Sequence, residues 1–383
     1  MIDDGDNDIL SEDDMLAICQ GMNSTLLETS AWGQEIATLS HHLWRQDLIE
    51  ADRQLKALAA HETLLQSEQL VLPDGYGSNV VVLAPDATLD TLTTLYTVLV
   101  TMFHETDIGR HYRPSPYAQR FLWAFASCAY LREAGFHQPP TMSWQVAEQT
   151  VVDLNQRLTS WYQCLKQPAF AYECSRNRRN SRNNYQRLRQ LIDGLFTRHS
   201  RLTVLRVDLS YSESDASYID YETARYHREQ LCETFHRHEL FHHLLGYAWK
   251  LEWRPKKGFH YHFLFFFNGH HIQEDITLAR RIGEHWARHI TGGQGHYYNC
   301  NRKAETVYHY NALGRIDYHD FEKQRGLDYI ARYLTKTDEY ASMLVIGRTF
   351  QTSSMPGTPA GPRPGRPRQL PAPATWCHDA LSF

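Results

Sequence analysis

The clearest alternation of apolar and polar residues lies in the second half of the chain. Residues 246–253 alternate, with Trp249 and Leu251 among the apolar positions, and residues 259–267 form a second run rich in phenylalanine. The segment between these runs contains Pro255, which interrupts a strand and favours a turn. The pattern therefore predicts a β-hairpin made of these two segments.

Segments on both sides of the hairpin predict a mixed fold. Residues 202–209 are β-branched and apolar, as in a buried strand, and residues 321–334 carry apolar residues at helical spacing. Weaker strand patterns occur at residues 296–301 and 314–318. Strands that pair around helices in this order predict an α+β fold, with one antiparallel sheet covered by helices.

The first half of the chain lacks such alternation and predicts helices. Apolar residues recur at helical spacing from residue 15 to about residue 60, and Ser143 can cap a helix that ends near Leu165. Composition and periodicity together predict an acidic, disordered N-terminus at residues 1–14, a mainly helical region at 15–174, a basic linker at 175–184, the sheet-containing domain at 185–350 and a disordered tail rich in Pro and Arg at 351–383.

The composition excludes several classes of protein. A chain of 383 residues is long enough for two domains, and its 42% hydrophobic and 22% charged residues are typical of a globular protein. Seven cysteines without a CxxC pair argue against a disulfide framework or a zinc site and favour a reducing cytosol. The acidic N-terminus is unlike a signal peptide, and no apolar stretch is long enough to span a membrane, so a cytoplasmic protein is expected.

The second predicted strand of the hairpin contains two histidines separated by one residue. Side chains of a strand alternate between its faces, so His260 and His262 lie on one face and can meet one divalent ion. Glu252 is on the preceding strand, and it becomes a third ligand if the polar face of that strand is also the histidine face. Two imidazoles and one carboxylate suit Mg or Mn with open positions for phosphate oxygens.

Two alternatives compete with this metal site. The chain has 22 histidines, so a pair at this spacing can be incidental. A cupin-like barrel also uses such a pair, but it requires a glutamate a few residues later, and residues 264–269 contain none.

The predicted helix, which can be extended to residues 321–336, carries candidate nucleophiles. Tyr329, Tyr333 and Lys336 are four and three residues apart and therefore share one face. A tyrosine oxygen can attack a phosphodiester, and a nearby lysine can stabilise the phosphate. The alternative is that both tyrosines only pack against the sheet.

These motifs resemble those of the HUH endonuclease superfamily. Glu-Trp-Arg-Pro-Lys-Lys-Gly-Phe-His260-Tyr-His262-Phe resembles its metal motif, in which a histidine, a bulky residue and a histidine follow one another. Tyr329-Ile-Ala-Arg-Tyr333-Leu-Thr-Lys336 resembles the YxxxYxxK motif of two-tyrosine replication initiators such as the gene A proteins of microviruses. Residues 201–209 resemble the first-strand motif, and the likeness is greatest to inovirus-type, prophage-encoded replication proteins over about residues 185–350.

The resemblance implies a fold and an activity. It implies a ferredoxin-like sheet, a Mg or Mn ion, and nicking of single-stranded origin DNA through a covalent 5′-phosphotyrosine, with rejoining afterwards. Tyr333 stands in the YxxK position of single-tyrosine relatives and is ranked first, while Tyr329 is a second nucleophile or a packing residue. Without a P-loop in the sequence, unwinding and synthesis are expected to need a host helicase and polymerase.

The same motifs also fit other functions. A relaxase or a transposase uses the same chemistry, and a prophage regulator could keep the fold and bind DNA without cutting it. The net charge of −5 does not by itself indicate a nucleic-acid partner, but basic residues are clustered. The candidate DNA-binding residues are two lysines of the hairpin turn and four arginines of the predicted linker: Lys256, Lys257, Arg176, Arg178, Arg179 and Arg182.

Overall fold

A computed structural model of the chain describes most of its middle part. The described residues are 26–29, 35–38, 43–66, 69–73, 79–84, 86–136, 140–303 and 312–354.

The chain forms two compact units, which we call the helical unit and the sheet unit. The helical unit consists of Leu43–Asn180 and Thr337–Leu344, and the sheet unit consists of Ser181–Lys336 with the described residues before 43 and after 344.

The strands are numbered in chain order. They are β1 (Leu26–Thr29), β2 (Glu35–Thr38), β3 (Gln69–Pro73), β4 (Asn79–Leu83), β5 (Tyr112–Pro114), β6 (Arg201–Tyr211), β7 (Leu244–Arg254), β8 (Gly258–Asn268), β9 (Gly295–Asn299), β10 (Gly314–Asp317), β11 (Ala341–Met343) and β12 (Phe350–Thr352).

The helices are numbered in the same way. They are α1 (Leu43–His61), α2 (Ala87–Val100), α3 (Ile108–His111), α4 (Pro116–Phe125), α5 (Ala129–Phe136), α6 (Trp144–Leu165), α7 (Pro168–Arg198), α8 (Tyr221–Thr234), α9 (Asp275–His285) and α10 (Phe321–Lys336). Two of them continue into π-helical turns, Thr101–Glu105 after α2 and Trp286–Ile290 after α9. No helix among the described residues is both long and apolar enough to cross a membrane.

An antiparallel sheet with β6 at its centre forms the core of the sheet unit. The strand order is β12-β7-β8-β6-β9-β1-β2. One edge of β6 pairs with β8 along most of its length. The other edge is shared, because β10 pairs with its first four residues and β9 with its last five. Every one of these pairings is antiparallel, so the α+β class that the alternation predicts is confirmed.

One face of this sheet is apolar and is covered by α8 and α9. Phe263 and Phe265 of β8 are fully buried, and their rings stack with centroids 5.2 Å apart. Phe235, just after α8, packs edge-on against Phe265. Gly283 of α9 lies so close to the ring of Tyr297 that there is no room for a β-carbon on residue 283. The helix therefore contacts β9 directly. This face supplies most of the apolar burial of the sheet unit.

The other face of the sheet is polar at its centre and is covered in part by α7. Leu191 and Leu195 of this helix lie against Gly246 of β7, a position that shares its face with Lys250 and Glu252.

Helix α10 is held against α7 by polar contacts. The Ser181 hydroxyl donates to the Thr335 carbonyl at 2.9 Å, and the Tyr185 hydroxyl donates to the Asp328 carboxylate at 2.6 Å. The guanidinium of Arg332 lies over the Tyr185 ring at 4.8 Å. The predicted tyrosine helix is therefore attached to the helix that covers the polar face.

The helical unit has its own core and two small two-stranded sheets. Leu92, Phe121 and Trp161 are fully buried in it, and β3 pairs with β4 and β5 with β11. Ser143 accepts a hydrogen bond from the Val146 amide at the start of α6, as its position in the sequence predicts.

Three boundaries predicted from the sequence are wrong. Residues 175–184 are not a linker but lie inside α7. Periodicity misses the helix because small residues such as Cys174 and Ser181, rather than large apolar ones, take the inward positions between Phe170 and Leu188. The region from 15 to 60 is not all helical, since β1 and β2 precede α1. The predicted tail begins too early, because β12 continues to Thr352 and pairs with β7; residues 1–14 and 355–383 lie outside the described residues.

Candidate metal centre

The β7–β8 hairpin brings the three predicted ligands together on the polar face of the sheet. Glu252 is directly opposite His260 in the β-ladder, and Lys250 is opposite His262. On its other side His262 faces Asp208 of the central strand β6. The condition set by the sequence is therefore met, because the polar face of β7 is also the histidine face of β8.

The side chains of Glu252, His260 and His262, which we call the metal group, converge. Glu252 Oε2 is 2.9 Å from His262 Nε2 and 3.4 Å from His260 Nε2. One ligand atom from each residue lies within 4.8 Å of the others, and all three side chains are buried. The group could hold a divalent ion.

Hydrogen bonds to the far nitrogens fix the direction of both imidazoles. His262 Nδ1 is 2.7 Å from Asp208 Oδ1, and His260 Nδ1 is 3.2 Å from the Gly258 carbonyl oxygen. These contacts leave the Nε2 atoms of both rings directed toward Glu252. Partners of this kind orient histidine ligands in metal sites.

The electrostatics of the site leave Asp208 ionised and His260 neutral. Burial of Asp208 opposes ionisation, but the charges of Arg206 and His262 outweigh this effect and hold the pKa of the carboxyl well below its usual range. Burial lowers the pKa of His260 from 6.5 to about 3, so its imidazole is neutral, as a metal ligand must be.

A further observation supports the fit of a metal ion. His260 Nε2 is buried and makes no hydrogen bond to any described residue, although buried polar atoms are nearly always satisfied. An ion held by Nε2 of both histidines and by Glu252 would satisfy this atom. Two nitrogen donors and one carboxylate suit Mn better than Mg, which prefers oxygen ligands.

The predicted nucleophiles lie on α10, with different exposure. Tyr333 and Lys336 are buried, and Tyr329 is half-buried. The apolar stripe predicted for this helix is largely confirmed, since Leu327 and Leu334 are fully or nearly fully buried. The helix runs from Phe321 to Lys336, as the spacing of these residues predicts.

The candidate DNA-binding residues fall into two places. Lys256 is exposed at the tip of the hairpin turn, where its backbone has a left-handed φ of 65°. Lys257 is half-buried, and its charge contributes to the lowered pKa values of Asp208 and His260, so it lies near the metal group. The arginines are all exposed on α7: Arg176, Arg178, Arg179 and Arg182.

Sequence reasoning missed the charged side chains that surround the metal group. Arg206 and Asp208 lie two residues apart on β6, and the guanidinium contacts both carboxylate oxygens at 3.2 and 3.4 Å. Arg254 is 3.4 Å from Glu252, and Lys250 is 2% exposed. Charged residues at alternate positions of an otherwise apolar strand were the available signal, because such residues are buried only when they have partners.

Comparison with known proteins gives a match to part of the chain. No curated protein and no solved structure matches the chain. A family model matches a segment that runs from the start of α7 to β11 and includes both the metal group and the tyrosine helix. Residues 167–341 are similar to the YagK/YfjJ C-terminal domain.

Proposed function

We propose that this protein is a metal-dependent endonuclease that nicks and rejoins single-stranded DNA to initiate rolling-circle replication. The observation that carries the proposal is the metal group, in which two buried histidines and one buried glutamate each bring a ligand atom within 4.8 Å of the others. Support also comes from α10, which follows in the chain and carries Tyr329 and Tyr333 a helical turn apart.

The metal group has one task in this reaction. His260, His262 and Glu252 would hold a divalent ion, which would supply polarisation of the scissile phosphate and offset the charge that develops on it.

The tyrosines carry out the covalent step. The Tyr333 oxygen bonds to the phosphorus, the bond from phosphorus to the 3′ oxygen breaks, and the tyrosine proton ends on the released 3′ hydroxyl. The DNA 5′ end then remains linked to the enzyme as a phosphotyrosine. In the reverse step a 3′ hydroxyl attacks this phosphotyrosine and frees the tyrosine. Tyr329 serves as the second nucleophile, and Lys336 stabilises the phosphate.

The remaining features of the proposal follow from the same assignment. The proposal assigns a ferredoxin-like arrangement, as in the HUH endonucleases, to the antiparallel sheet and its covering helices. Lys256 and Lys257 bind phosphates next to the scissile bond, since they extend from the hairpin that carries the metal group. A host helicase and polymerase continue replication from the free 3′ hydroxyl.

The test is a cleavage assay on the full-length chain. The substrate is a random-sequence pool of single-stranded oligonucleotides labelled at the 3′ end, incubated with Mn²⁺ or Mg²⁺ and resolved on a denaturing gel. We expect a labelled species that migrates with the protein, and sequencing of the DNA in this adduct gives the cut site.

Matched variants make the assay decisive. The double variant Tyr329→Phe/Tyr333→Phe is expected to form no adduct, whereas Tyr218→Phe, at an exposed tyrosine on another segment, is expected to behave as the parent. An adduct that survives the double variant, or the absence of any adduct with either metal, contradicts the proposal. Metal-independent binding without cleavage would instead identify a DNA-binding regulator.

A further inference from the structure

Helix α7 carries a row of exposed residues that the proposed reaction does not use. Tyr172, Arg176, Arg179, Asn183 and Arg187 are spaced by four, three, four and four residues. Because each residue turns an α-helix by about 100°, the five side chains lie within an arc of roughly 80°. All five are exposed, and we call this row the basic face.

The opposite side of the same helix is buried. Ser181, Leu188 and Ile192 have at most 3% of their surface exposed, and the Ser181 hydroxyl is bonded to the Thr335 carbonyl of α10. The helix is therefore fixed by one side, and the basic face is directed to solvent.

The charges of the basic face are not compensated within the described part of the chain. Arg176, Arg179 and Arg187 have neither an ion pair nor a hydrogen bond to any described residue. By contrast, Arg189 is paired with a carboxylate of its own helix at 3.1 Å. The sequence contains no Asp or Glu between Glu173 and Asp193, so the row is uniformly positive.

We propose that the basic face binds single-stranded DNA. The identity of this ligand rests on the proposed function. The three arginines bind successive phosphates, and Tyr172, which is 64% exposed, stacks on an unpaired base. The distance from Tyr172 to Arg187 along the helix is about 22 Å, which accommodates roughly four or more nucleotides. Stacking requires an unpaired base, and a single strand is therefore bound in preference to a duplex.

The first experiment measures binding without cleavage. All proteins carry Tyr329→Phe/Tyr333→Phe and are assayed in EDTA by fluorescence anisotropy with a labelled oligothymidylate of about 20 nucleotides. The test variant is Arg176→Ala/Arg179→Ala/Arg187→Ala. Alanine is the best helix former, so α7 is retained, and circular dichroism verifies this. The control variant removes three other exposed arginines and the same net charge: Arg113→Ala/Arg132→Ala/Arg237→Ala.

We expect the test variant to bind at least tenfold more weakly than the control variant. Loss of three phosphate contacts also lowers the slope of log K against log salt by about 2, since each contact to a single strand contributes roughly 0.7. Equal affinities and equal salt slopes for the two variants overturn the inference.

The second experiment tests the stacking residue. Tyr172→Ala is expected to weaken binding roughly tenfold, and Tyr172→Phe to restore it. Tyr218→Ala, at a position that is 84% exposed, serves as the control and is expected to have no effect. Tighter binding of duplex DNA or of oligouridylate than of oligothymidylate contradicts the assignment to single-stranded DNA. Because cleavage is blocked throughout, a protein that binds here yet forms no adduct in the cleavage assay contradicts only the proposed function.

Discussion

The two faces of the central sheet are built on opposite principles. On one face, Phe263 and Phe265 are fully buried among other aromatic side chains. On the other face, His260 and His262 of the same strand lie next to Glu252 and Asp208. These four side chains are also buried, but they are polar or charged. One strand of 11 residues thus serves a hydrophobic core and a charged cluster, separated only by the alternation of its side chains.

The difference separates a face that stabilises the fold from a face that the proposed function would use. Burying an aromatic side chain stabilises a fold, whereas burying charges costs free energy even when they are paired. Buried charges and perturbed pKa values cluster at functional sites. Three substitutions, taken from the largest expected effect to the smallest, can break or sharpen this contrast.

The largest effect is expected on the apolar face. Phe265→Ala removes a ring that contacts Phe235, Phe241 and Phe263, and we expect it to lower the free energy of unfolding by about 3–5 kcal/mol. Urea denaturation measures this change. Mn²⁺ binding by the fraction that remains folded is expected to be unchanged, and Phe265→Leu, which costs under about 1.5 kcal/mol, tests this point if the alanine variant does not fold. Loss of Mn²⁺ affinity in a folded Phe265→Leu variant would contradict the separation of the two faces.

A somewhat smaller effect is expected on the polar face. Asp208→Ala leaves the guanidinium of Arg206 buried without this carboxylate and removes the acceptor of His262 Nδ1. We expect a loss of about 3 kcal/mol in stability and a 10- to 100-fold loss in Mn²⁺ affinity. Urea denaturation and isothermal titration calorimetry measure the two quantities. A variant that binds Mn²⁺ as tightly as the parent protein would show that Asp208 does not orient the ligand.

The smallest effect on stability is expected when the whole ion pair is replaced. In Arg206→Met/Asp208→Leu no buried charge is left without its partner, and we expect stability within about 1 kcal/mol of the parent, or above it. The affinity for Mn²⁺ is expected to fall as in the single variant. A double variant that is as unstable as Asp208→Ala would mean that the pair contributes to folding rather than to the metal group.

The sequence predicted the hairpin and the metal group well because strand alternation is a short-range rule. Once Pro255 marks the turn, the register across β7 and β8 is nearly determined, and Glu252 has to lie near His260. The partner strand was harder to assign. That Asp208 lies next to His262 depends on the register of β6 with β8, whose residues are more than 50 positions apart in the chain.

The sequence failed where a helix does not show the expected apolar spacing. Residues 175–184 are rich in Arg and Asn, and only Ser181 among them is buried. The apolar residues that hold α7 in place lie on either side, at Phe170 and Leu188. Strands β1 and β2 were missed for a different reason. Each has only four residues, and the pairing of β1 with β9 and with β2 is a tertiary effect.

The short contact between His262 Nε2 and Glu252 Oε2 has a consequence for the loading of the site. Because these atoms are only 2.9 Å apart across neighbouring strands, both could contact one ion without any change in the strand register. Side chains that are already placed beside one another lose little conformational freedom when a ligand binds. The metal group would therefore take up an ion without rearranging, because the entropic cost of gathering the ligands is met when the hairpin folds.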